Sequence, residues 1–110
     1  MRSRKFSLIP VLLAVAIIVL AAAKSQTFTG EVSDSMCGAK HMMDNKAECT
    51  RTCVSKGSNY ALVVGDKVYT LNTTDKAALG ELNTLAGEQA KVTGTMNGDA
   101  IEVSKVSAAK

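Results

Sequence analysis

All three cysteines and the single histidine of this chain fall in one short stretch, in the order Cys37, His41, Cys49, Cys53. The members of each pair, Cys37 with His41 and Cys49 with Cys53, stand four residues apart, which on a helix stacks both side chains on one face. Two short helices are predicted to present them. Asp34 caps the first, which runs through Met43; Asn45 with Glu48 forms a capping-box pattern opening the second, which Gly57 ends after Lys56. Facing each other, the pairs form a Cys3His set. That set suits tetrahedral zinc, with sulfur at about 2.3 Å and nitrogen at about 2.0–2.1 Å. It also suits Cu(I), a soft ion, because Met36, Met42 and Met43 lie around it. Four protein ligands imply a structural or storage role. Hydrolysis needs an open coordination position, and nothing in the sequence marks one, so no enzyme is expected.

Two other chemistries fit the same residues. In an oxidising compartment Cys37 could bridge to Cys49 or Cys53, closing a loop of about 12 to 16 residues and stabilising the fold by roughly 3 kcal/mol. Cys49 with Cys53 is the poorest pair, because side chains one helical turn apart point outward in parallel. Either bridge leaves one spare thiol on a stapled interaction module whose β-face binds a peptide or small ligand. Alternatively the spare thiol takes part in thiol–disulfide exchange, its pKa lowered by a helix N-terminus. Asp34 reads as a helix cap rather than a ligand, and the methionines read first as core filler. Cys37 with His41 lacks the third, orienting group of a nucleophile–base pair. No phosphate loop, catalytic carboxylate pair, dinucleotide signature or C-x-x-C-H haem site is present.

The elements that must position these residues begin after an export signal. Arg2, Arg4 and Lys5 precede an uncharged apolar run to Ala23, and Ala21-Ala22-Ala23 supplies the small residues of a cleavage site. Residues 1–23 are therefore read as a secretory signal peptide, and the protein as periplasmic or secreted. The alternative is retention in the inner membrane by an uncleaved segment, for which the apolar run is near the minimum length. The net charge of +3 comes from Arg2, Arg4 and Lys5. Beyond residue 23 acidic and basic residues balance and aromatics are few, which argues against nucleic acid as a partner. After cleavage no stable membrane association is expected. The remaining partners are a metal ion, or a small ligand or peptide.

Residues 24–110 read as one β-rich domain. Phe28, Gly30 and Val32 alternate with polar neighbours. A helical insertion at 34–58 follows. Tyr60–Val64 and Lys67–Leu71 flank a Gly65-Asp66 hairpin turn. A helix capped by Thr74 presents Ala78, Leu82 and Leu85 on one face and ends at Gly87. Two further strands flank Asn97-Gly98, and Val106 breaks their alternation, predicting a bulge or a fraying end. Three strands, a helix and two strands is the order of an OB-fold, a small five-stranded barrel; an open sheet with the helix on one face is the rival.

The segments Asp34-Ser35-Met36-Cys37-Gly38-Ala39-Lys40-His41 (D-x-x-C-G-x-x-H) and Cys49 to Leu62 (C-x3-C-V-x-x-G-x-x-Y-x-L), with Leu85-Ala86-Gly87 and Val92-Thr93-Gly94, resemble a family of short, uncharacterised exported bacterial proteins. The resemblance spans nearly all of residues 24–110. It implies that Cys37, His41, Cys49 and Cys53 belong together as a unit, and it implies no particular metal or activity.

Overall fold

Alternating apolar residues in five segments become five strands that share one closed sheet. The computed structural model describes residues 24–40 and 44–109. In chain order the elements are β1 (Gln26–Asp34), α1 (Lys46–Ser55), β2 (Tyr60–Val64), β3 (Lys67–Asn72), α2 (Lys76–Thr84), β4 (Gln89–Asn97) and β5 (Ala100–Ala108). The strands close in the order β1-β2-β3-β5-β4. All pairings are antiparallel except β3 with β5, where Leu71 lies opposite Ile101. This is the expected OB-like barrel, with α2 between the third and fourth strands and the cysteine-bearing insertion between the first and second. Closure leaves no long free edge, which removes the risk that a small sheet recruits a second chain.

Closure requires β1 to serve two neighbours. Gln26 to Glu31 pair with β4, and Glu31 to Asp34 pair with β2. The strand coils at the changeover, where Gly30 lies so close to β2 that a Cβ would overlap the Val63 carbonyl. The far end of β1, Asp34, is thereby fixed beside the start of β2, opposite Tyr60. That placement decides the geometry of the insertion.

Val32, Leu62, Leu71, Val92 and Ile101 fill the barrel, and Leu82 of α2 closes it. Each fully buried Leu or Ile removes enough apolar surface to contribute about 1.5–3 kcal/mol. Ala78, Leu82 and Leu85 form the buried face of α2 as the periodicity predicts. Its cap is Asp75 rather than Thr74: the Asp75 carboxylate accepts the Ala78 N–H at 3.0 Å. Thr73 Oγ1 accepts the Asp75 N–H, so the hydroxyl and carboxylate divide the turn between them and move the helix start by one residue. The second hairpin also shifts by one. Asn97 pairs with Ala100, so its two-residue turn is Gly98-Asp99, with Gly98 at φ +65°. The parity break at Val106 is a bulge: Thr93 faces Lys105 and Gly94 faces Val103, leaving Ser104 extra. Its hydroxyl donates to the Thr93 carbonyl, and Val106 returns to the core.

Residues 1–23, where a secretory signal is expected, and His41, Met42 and Met43 lie outside the described residues. Among the described residues no helix is long and apolar enough to cross a membrane.

Candidate metal centre

The second helix of the insertion forms as its sequence predicts. The Asn45 side chain accepts the Glu48 N–H at 3.1 Å, opening α1. At the other end Lys56 is the C-cap, and Gly57, at φ +110°, turns the chain away. α1 lies against β1, where Lys46 pairs with Glu31 at 3.7 Å. Arg51 donates to the Asn83 carbonyl at the end of α2, and the Tyr60 hydroxyl donates to the Asn83 side chain. Burial pushes the Tyr60 hydroxyl pKa up, partly offset by the Arg51 charge. These contacts set the roll of α1 so that Cys49, one turn before Cys53, is fully buried while Cys53 is half-buried.

Over the described residues 35–40 the first predicted helix is not formed. Residues 35–39 make a single turn, closed by Gly38 N–H donating to the Asp34 carbonyl at 2.8 Å. Gly38 then takes φ +59°, the left-handed conformation that ends a helix, and Ser33 Oγ donates to its carbonyl at 2.6 Å. Ser35 N–H donates across to Asn59, tying the turn to the start of β2. A helix through Met43 would forfeit these bonds. Cys37 reaches the centre from a tight turn, and His41 is outside the described residues.

The three sulfurs nevertheless meet. Cys37 Sγ lies 3.6 Å from Cys49 Sγ and 3.7 Å from Cys53 Sγ. A disulfide needs about 2.05 Å, and none of the three cysteines is in one. The bridge of the stapled alternative is not present: the sulfurs are in contact without a bond between them. Four sulfurs around a zinc ion at about 2.3 Å are separated by about 3.8 Å along each edge of the tetrahedron. The observed separations are within a few tenths of that.

The fourth member of the cluster is one that the sequence reading assigned a different task. Asp34 is completely buried. Its Oδ2 accepts the N–H groups of Met36 and Cys37, each at 3.0 Å, and a longer contact from the Ser58 hydroxyl at 3.4 Å. To that extent it caps the turn as expected. Its Oδ1 is also buried and has no hydrogen-bond partner of good geometry among the described residues. Ligand atoms of Asp34, Cys37, Cys49 and Cys53 all lie within 4.8 Å of one another. The signal in the sequence was that Asp34 stands three residues before Cys37, where a capping carboxylate's second oxygen is left over.

Packing a carboxylate against three thiols makes negative charge costly here. At Cys53 a hydrogen bond from Cys37 favours the thiolate. Loss of hydration, the charges of Asp34 and Cys49, and hydrogen bonding to Asp34 together outweigh it, and the thiol pKa is pushed up. A divalent cation held by these side chains would reverse that balance, favouring the thiolates. The donor set therefore fits a borderline or soft cation chemically as well as geometrically. What fold and centre define together is a small closed β-barrel bearing a Cys3Asp cluster able to hold a metal ion. No protein-family model, curated protein or solved structure matches the chain.

Proposed function

We propose that this is an exported metal-binding protein, kin to the short bacterial proteins its motifs resemble, that holds one zinc ion through Cys37, Cys49, Cys53 and Asp34. The observation that carries the reading is the meeting of three sulfurs, Cys37 at 3.6 and 3.7 Å from the other two, with a buried carboxylate oxygen that has no hydrogen-bond partner of good geometry among the described residues. An unsatisfied buried carboxylate oxygen costs several kcal/mol. Coordination offsets that cost, whereas a structural cap needs only Oδ2. The oxygen donor favours zinc over Cu(I), which prefers sulfur. His41 is the other candidate for the fourth position, giving the Cys3His set of the sequence reading.

Elemental analysis of protein purified from the periplasm tests this, together with cobalt substitution. One equivalent of zinc is expected, with intense sulfur-to-cobalt charge-transfer absorption after exchange. Metal-free protein with three titratable thiols that binds neither zinc, cobalt nor Cu(I) would refute the proposal.

A further inference from the structure

In a zinc site with four protein ligands an incoming donor must displace one of them, so access to the ligands decides whether the ion can exchange. Cys49 and Asp34 are buried on the barrel side, but Cys37 and Cys53 form part of the wall of a pocket of about 450 Å³. Met36, Lys40, Thr52 and Lys56 complete its lining. Met36 is 67% exposed, so the rim is an apolar side chain held in water beside the sulfurs. Among the described residues that line it, the charged ones are Lys40 and Lys56, and none carries a carboxylate.

We infer that the bound zinc is exchangeable cargo, handed through this pocket to and from small thiols that carry negative charge, the two lysines drawing the anion to the accessible sulfurs of Cys37 and Cys53. The inference rests on the metal reading above. Transfer is a ligand exchange without oxidation. The incoming thiol's sulfur forms a bond to zinc as the bond to Cys53 or Cys37 breaks, and the proton released by the incoming thiol passes to the departing cysteine sulfur. Cys49 and Asp34, out of reach on the buried side, retain the ion until a second exchange. The apolar rim of Met36 and the lysine stems accommodates the body of the carrier, while the ammoniums select for its carboxylates.

The experiment uses the zinc-loaded protein and a chromophoric chelator as the final acceptor, with glutathione or its diethyl ester as carrier. The two carriers have the same thiol, and the ester has its carboxylates masked. They are compared at equal thiolate concentration and low salt. Transfer should accelerate in proportion to carrier concentration, and about 10-fold more for glutathione than for the ester. The preference should fall towards unity at high salt. It should fall likewise in the Lys40→Ala/Lys56→Ala double variant, whose zinc content and unassisted release rate stay within about twofold of the parent. A rate that ignores carrier concentration, or the same preference in parent and variant, overturns the inference while leaving the zinc site standing. Parent protein that takes up no zinc at all overturns both.

Discussion

Replacing Asp34 separates its two oxygens by function. In Asp34→Asn the amide oxygen can still accept the N–H groups of Met36 and Cys37, the two bonds of 3.0 Å that hold the turn. What is lost is the charge and the donor that Oδ1 presents to the sulfurs. Loss of a directly coordinating oxygen from a four-ligand site, with three thiolates remaining, should weaken zinc binding by at least the roughly 10- to 100-fold that losing an outer-shell partner costs, or about 1.4–2.7 kcal/mol or more. The metal-free fold should change by less than about 1 kcal/mol. Asp34→Ala behaves differently, because both N–H groups lose their acceptor in a part-buried turn. At about 1–2 kcal/mol each, the metal-free protein should lose roughly 2–4 kcal/mol, lowering Tm by roughly 10–30 °C for a domain of this size. Competition titration against a zinc chelator reads the first quantity, and thermal unfolding of the metal-free protein the second. If Asp34→Asn binds zinc within twofold of the parent, Oδ1 is not a ligand. If His41→Ala then costs the 10- to 100-fold instead, the fourth donor is the imidazole.

Three further perturbations test the surrounding structure. At Gly94, where β4 and β5 cross at the bulge, a Cβ would overlap the Glu102 carbonyl and come within 2.8 Å of Ile101 Cγ2. Gly94→Ala should therefore cost about 2–3 kcal/mol in urea unfolding, and a cost under 0.5 kcal/mol would mean that the strands are not so close. Thr50 of α1 is fully buried and its hydroxyl has no hydrogen-bond partner among the described residues, so Thr50→Val should stabilise the protein by about 1 kcal/mol; destabilisation of that size would reveal a bond to the hydroxyl. In the metal-free protein the raised Cys53 thiol holds its proton longer when folded than when unfolded. Its stabilising contribution is thus complete below the ordinary thiol value of 9.0 and is lost as pH rises through the folded-state value. Iodoacetamide should accordingly label Cys53 at pH 8 more slowly in the folded than in the urea-unfolded protein, with the difference closing at higher pH; faster labelling of the folded form would reverse the sign.

Much of the barrel was legible because its signals are local. Alternation in Gln26–Asp34 and Gln89–Asn97, the Gly65-Asp66 turn, the Asn45–Glu48 cap and the bulge announced by Val106 each depend on residues a few positions apart. The misplacements were local competitions between neighbours: Asp75 outcompeted Thr74 for the α2 cap, and the second hairpin turned one residue later than Asn97-Gly98 suggested. The insertion was harder to read. Spacing alone favoured a helix from Asp34, whereas Gly38 in the left-handed region and the Ser35–Asn59 bond close a single turn instead.

The sequence by itself determined that three sulfurs would lie in one insertion between the first two strands, two of them on one face of α1. Only the tertiary structure decided what joined them. Closing the barrel fixes the end of β1 beside the start of β2 and lays α1 against β1, and this carries the Asp34 carboxylate and the Cys37 turn onto the Cys49–Cys53 face. Periodicity reports which side of its own element a residue faces. It holds no information about which other element will be packed there, because that is set by contacts between residues far apart in the chain.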